Sequence, residues 1–123
     1  MKHLLFFMCV LFAGFSVACS NADTAGIAAE CKADTDCKEE GQSCLTNFKG
    51  GYCGKADCQS DTDCPTLSSC VQVGGKNYCF RHCTNKSECN VNRTAANEAN
   101  CAANVTLVGG KKNQKVCVPP TGS

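Results

Sequence analysis

Tryptophan is absent from this 123-residue chain, and only three prolines and two histidines occur in it. Large apolar side chains are just as scarce once the N-terminal run is set aside. From residue 19 onward Val, Ile, Leu and Phe together number thirteen, and the aromatics are Phe48, Tyr52, Tyr78 and Phe80. That share falls below the roughly 20% at which composition begins to match that of disordered chains. Burial of hydrocarbon therefore cannot be the main support of a fold here. Catalytic sets are missing too: there is no Gly-rich phosphate loop, no Ser-His-Asp set and, after the leader, one histidine, His82. No C-x2-C pair occurs, so zinc has no closely spaced ligands. The expectation is a protein that is not an enzyme and carries no cofactor or metal.

What the chain has is cysteine, fourteen in all. Cys58, Cys64, Cys70 and Cys79 form a unit spaced C-x5-C-x5-C-x8-C. Cys31, Cys37, Cys44 and Cys53 repeat it as C-x5-C-x6-C-x8-C, and Cys83, Cys89, Cys101 and Cys117 as C-x5-C-x11-C-x15-C. Three tandem modules, residues 31–57, 58–82 and 83–120, thus account for twelve cysteines. The fold class expected is small and disulfide-rich, each module a tight turn plus a short β-hairpin, with little helix apart from the signal peptide.

Each part of the module has a local reason. In Asp34-Thr-Asp36 and Asp61-Thr-Asp63 short carboxylates can accept backbone N–H bonds and fix a turn between two cysteines. Asn85-Lys-Ser-Glu88 keeps this chemistry in the third copy. Calcium is the rival use for those aspartates, but two carboxylates per copy fall short of the six to eight oxygens the ion takes. Two short runs flank Gly74-Gly75, the pattern of a hairpin whose turn requires positive φ. Gly50-Gly51 and Gly109-Gly110 repeat it. The linkers are short, Gly54-Lys-Ala-Asp57 and Phe80-Arg-His82, so adjacent modules must touch in one elongated body. The insertion around residues 93–100 suits a helical turn or two.

Residues 1–18 read as an export signal: Lys2 and His3 precede an apolar run, residues 4–17, too short for an ordinary membrane span. At its end, Ser16-Val-Ala18-Cys19-Ser20 resembles a bacterial lipobox, which implies that Cys19 is diacylated and becomes the mature N-terminus. Ser16 stands where that pattern prefers Leu. Ser16-Val-Ala18 also suits an ordinary signal peptidase, which leaves plain secretion open. Cysteine arithmetic favours the lipid. Cys9 is lost with the leader, and lipidation of Cys19 leaves twelve cysteines for three modules. Ser20 in place of Asp implies sorting to the outer membrane. Residues 19–30, small and polar, read as a tether holding the modules off the bilayer.

Cys58 to Cys70, C-x-S-D-x-D-C-P-x4-C, resembles the middle of whey-acidic-protein modules and is similar to the N-terminal cysteine-rich segment of Dickkopf proteins. That resemblance implies first-to-third and second-to-fourth pairing: Cys31-Cys44, Cys37-Cys53, Cys58-Cys70, Cys64-Cys79, Cys83-Cys101 and Cys89-Cys117. Spacing alone leaves other pairings open, among them Cys70 to Cys79 across the hairpin. The whole pattern also looks like the cysteine-rich lipoproteins of myxobacteria.

Charge is divided, five net negative from residue 19 to 65 and five net positive from 66 to 123. Lys111, Lys112 and Lys115 offer a surface for anions. Nucleic acid is not an expected partner of an exported chain. Asn85, Asn92 and Asn104 head glycosylation sequons that matter only in a eukaryotic secretory route. The function expected is a lipid-anchored envelope protein at the outer membrane or cell surface, acting as a disulfide-stabilised spacer or protein-binding module for an unidentified extracellular or envelope protein. The alternatives are a secreted peptidase inhibitor of whey-acidic-protein type, with Lys38 to Gln42 or Pro65 to Ser69 as its loop, and a small secreted cysteine-rich receptor ligand.

Overall fold

The computed structural model describes residues 26–37, 39–109 and 113–122. The leader and Cys19 lie outside the described residues. Within them seven short strands form: β1 (Ser43–Cys44), β2 (Cys53–Ala56), β3 (Ser68–Val73), β4 (Lys76–Arg81), β5 (Asn100–Ala102), β6 (Thr106–Leu107) and β7 (Val116–Val118). One four-residue helix, α1 (Lys86–Cys89), and 3-10 turns at Asp34–Asp36, Asp61–Asp63 and Ala95–Asn97 complete the list. The fold is thus small, mostly β and disulfide-rich, as the cysteine spacing and glycine pairs lead one to expect.

Six disulfides staple it: Cys31 to Cys44, Cys37 to Cys53, Cys58 to Cys70, Cys64 to Cys79, Cys83 to Cys101, and Cys89 to Cys117. Every module joins its first cysteine to its third and its second to its fourth. Cys70 and Cys79 do face each other across the β3–β4 ladder, yet each is bonded elsewhere.

The β3–β4 hairpin is the longest element. Gly74 and Gly75, with φ of +58° and +79°, turn it between Val73 and Lys76, the backbone a two-residue hairpin of matching twist demands. In the first module Gly51 (φ +69°) is required twice over, because a Cβ there would overlap the Cys31 carbonyl.

The segments expected to link modules are themselves strand. Residues 54–56 belong to β2, which pairs on one side with β1 and on the other with β4. Phe80 and Arg81 end β4, and His82 bridges to Val116. Five strands in the order β1-β2-β4-β3-β6 therefore form one sheet shared by all three modules, beside a β5–β7 pair. A row of touching but separate modules gives way to a fused body.

Two further expectations need correction. Among the described residues the strands on either side of Gly109-Gly110 do not pair with each other: β6 leaves its own module to pair with β3, and β7 pairs with β5. Pairing covers the edge of β3, and Leu107 comes to lie opposite Val71. The insertion forms a single helical turn, of 3-10 type, at Ala95–Asn97. Residues 26–30, expected within the tether, belong instead to the folded body, since Ile27, Ala28 and Ala29 are buried. Backbone bonds from Ala28 N to Cys53 O and from Cys53 N to Ala29 O, both 2.9 Å, tie that segment to the start of β2.

The few aromatics meet in one place. Phe48 stands edge-on to Tyr52, Tyr78 and Phe80, with ring centres 6.2, 5.0 and 5.6 Å away. Edge-to-face contacts suit the ring quadrupoles and add to what burial supplies. Tyr52 is wholly buried, its hydroxyl donating to Cys117 O at 3.1 Å and accepting from Arg81 N at 3.2 Å. Burial, only partly offset by the Arg81 hydrogen bond and nearby guanidinium charge, pushes its phenol well above the usual range. One side chain thereby joins all three modules.

Candidate functional site

The acidic turns resolve into a repeated clamp. Asp63 Oδ2 accepts from Gln59 N (2.8 Å) and Ser60 N (3.2 Å), while Asp61 Oδ1 accepts from Cys70 N at 2.8 Å. In the first module Asp36 Oδ2 accepts from Lys32 N and Ala33 N, and Asp34 Oδ1 from Cys44 N. In both copies the first aspartate holds the third cysteine's backbone and the second closes the turn. The third copy substitutes Glu88, which accepts from Thr84 N at 3.0 Å, and Asn85, which accepts from Glu88 N at 3.2 Å. N–H donors aimed at these oxygens occupy directions a cation would need, so the geometry is that of capping.

Backbone donors from Gln59 and Ser60 hold the Asp63 carboxyl below its ordinary range. A carboxyl whose folded value lies below its unfolded one supports the fold fully above the unfolded value, and that support fades as pH falls through the lowered one. The turn at Asp61–Asp63 should accordingly loosen in acid while the disulfides keep the body closed. Titration of the Asp63 carboxyl carbon by NMR should give a midpoint under 3.8, with the Gln59 and Ser60 amides moving in step. Asp63→Asn should remove that step, and a midpoint at or above the ordinary value would contradict the clamp.

Cysteine sulfurs gather in three groups: Cys31 with Cys37 and Cys53, Cys58 with Cys64 and Cys70, and Cys83 with Cys89 and Cys117. All are oxidised in disulfides and so offer no thiolate to a metal. His82, at the end of the second expected linker, is half-buried, its Nε2 lying 2.6 Å from Ser69 Oγ. Ser69 is fully buried. A serine and histidine at hydrogen-bond distance form half of a nucleophilic set, but a hydroxyl with no exposed surface reaches no substrate.

The two loops considered for protease binding differ. Residues 39–41 of the first are exposed and carry Glu39 and Glu40; Lys38 lies outside the described residues. The second presents Leu67, 69% exposed and in the left-handed region at φ +62°. Its carbonyl accepts from His82 N at 2.8 Å, and Ser68 Oγ donates to Pro65 O. The bridges from Cys64 and Cys70 brace the loop on both sides. Comparison with protein-family models, with curated proteins and with solved structures finds no match to this chain.

Of the remaining candidates, Lys111 and Lys112 lie outside the described residues, and Lys115 is exposed with its carbonyl receiving Cys83 N. Asn85 is engaged as the α1 cap, Asn92 accepts Glu30 N through its carbonyl, and Asn104 is exposed. Sequence reasoning missed Arg93. Its guanidinium, 9% exposed as a residue, donates to Asn97 O, Ala28 O, Gly51 O and Lys49 O at 2.7–3.1 Å. It also lies 5.7 Å from the Tyr52 ring centre. Beside it, burial raises the Glu30 carboxyl, but hydrogen bonds from Thr94 and the charge of Arg93 outweigh this and leave it lowered. The insertion of the third module is in this way plugged into the first.

Six disulfides belong to an oxidising compartment outside the cytoplasm. No helix among the described residues is long and apolar enough to cross a membrane.

Proposed function

We propose that this chain is a non-enzymatic, lipid-anchored protein of the cell envelope, at the outer membrane or cell surface. Its stapled body acts there as a spacer or as a module that binds another envelope or extracellular protein. One observation carries the reading. The folded body uses twelve cysteines in six internal bridges, so of the thirteen cysteines that follow the export signal only Cys19 is left over. It stands directly behind Ser16-Val-Ala18, where a lipoprotein carries its anchor. An unlipidated Cys19 would be a lone thiol in an oxidising compartment, open to exchange with six disulfides.

Cys19→Ala tests this reading. The native protein should fractionate with membranes, accumulate unprocessed under globomycin and show the mass of a diacylglyceryl group. The variant should leave the membrane fraction. Native protein found soluble, with the mass of an unmodified N-terminal Cys19, would overturn the anchor.

The inhibitor alternative draws on the braced, exposed Leu67. A peptide entering a protease cleft runs extended and leaves its scissile carbonyl for the oxyanion donors. Leu67 is left-handed and its carbonyl is taken by His82 N, which favours the anchored spacer over an inhibitor.

A further inference from the structure

The packed segment 26–30 shortens the anchor and fixes where it leaves the body. Seven residue steps separate Cys19 from Gly26, a span of at most about 25 Å fully extended. The folded body is therefore confined near whatever holds Cys19. The anchor joins at one end of the sheet. Ala28 bonds to Cys53 at the start of β2, and Arg81 at the end of β4 pairs with Ser68 at the start of β3. Gly26, Ile27, Glu39, Thr66, Leu67 and Arg81 line one shallow depression there. Leu67 and Arg81 also border a second depression, which carries Glu88. The hairpin tip at Gly74 and Gly75 lies at the other end of β3, about 17 Å away.

Resting on the lipid-anchor reading, we propose that this end of the sheet is seated on the bilayer, with Leu67 inserted among the headgroups of a zwitterionic phospholipid. Leu67 is one of two large apolar side chains that stand well exposed among the described residues. It is carried on a loop fixed by two disulfides and by His82 N, so little is lost in ordering it on contact. Arg81 matches a lipid phosphate and Glu39 the ammonium of the same or a neighbouring headgroup. A uniformly anionic surface fits this mixed face less well. One leucine and two headgroup contacts hold no free protein on a membrane. A short anchor raises the effective concentration of the face to the millimolar range, where weak contacts are populated.

The absence of tryptophan provides the test. Thr66→Trp and Lys76→Trp each place a single fluorescent reporter in the full chain, the first next to Leu67 and the second at the hairpin tip. The processed protein is purified from membranes, its mass recorded, and reconstituted in phosphatidylethanolamine and phosphatidylcholine vesicles with brominated acyl chains. Interfacial insertion reaches roughly 5–10 Å, so emission from the Thr66→Trp protein should fall at least about twofold while that from the Lys76→Trp protein is unchanged. Adding Leu67→Glu to Thr66→Trp should abolish the quenching, with all six bridges still intact by mass. A diacylated protein with equal or no quenching at the two positions overturns the seating and leaves the anchor standing. A mass without the lipid overturns both.

Discussion

Reduction of the six disulfides should unfold this protein at 25 °C in water. Circular dichroism should lose its strand signal and amide NMR shifts should collapse to the random-coil range after reduction and alkylation. The bridges span sequence separations of 12 to 28 residues. In the chain-entropy model each such closure contributes roughly 3 to 3.5 kcal/mol. Net stabilities of native domains lie at about 5–15 kcal/mol. Even with strongly incomplete additivity, removing six closures exceeds that margin, and thirteen large aliphatic and phenylalanine side chains cannot replace it. Among single bridges, Cys89–Cys117 has the longest separation, so replacing both cysteines by alanine should cost more than the same change at Cys58 and Cys70. Retained amide dispersion in the fully alkylated chain would show instead that the aromatic cluster suffices alone.

Local chemistry was the legible part of this fold. Asp61-Thr-Asp63 and Gly74-Gly75 state their structures within a few residues, because an Asx-type clamp and a left-handed turn depend on neighbours in the chain. The resemblance at Cys58 to Cys70 implied the pairing found in the structure, which spacing by itself left open. The fused sheet was not legible. Gly54-Lys-Ala reads as a linker in isolation, and it becomes strand only because β4 supplies hydrogen-bond partners on its other side. Val105-Thr-Leu-Val108 carries the strand signal, yet nothing within it says that the partner is β3 of the preceding module.

The packing of residues 26–30 was hidden for a related reason. Ile27 stood out as the one large apolar residue of a polar stretch, and in a chain this poor in such side chains its burial was the cheaper outcome. Ala28 N and Ala29 O also bond to Cys53, a partner more than twenty residues away. Distance in sequence likewise hid the candidate site's best-held residue. The carbonyls that receive Arg93 belong mainly to residues 28, 49 and 51, and any residue type can present a carbonyl.

Arg93→Met should be the most damaging single substitution outside the cysteines. Methionine keeps much of the apolar stem but none of the donors. Four backbone carbonyls then lose their partner in the space between the first and third modules. A buried carbonyl left without its donor costs about 1–3 kcal/mol. The denaturant midpoint of the oxidised protein should fall by a corresponding amount at unchanged slope. Hydrogen exchange should accelerate first at Ala28 and Cys53, whose bonds hold the N-terminal segment beside the lost guanidinium. Arg93→Lys should recover only part of the loss, since a single ammonium cannot serve carbonyls spread around a planar fork. Lys86→Ala removes an exposed pair with Glu98 at 2.7 Å and should cost no more than about 1 kcal/mol. If Arg93→Met costs no more than that control, the modules are held together by the shared sheet and disulfides, and the plug is incidental.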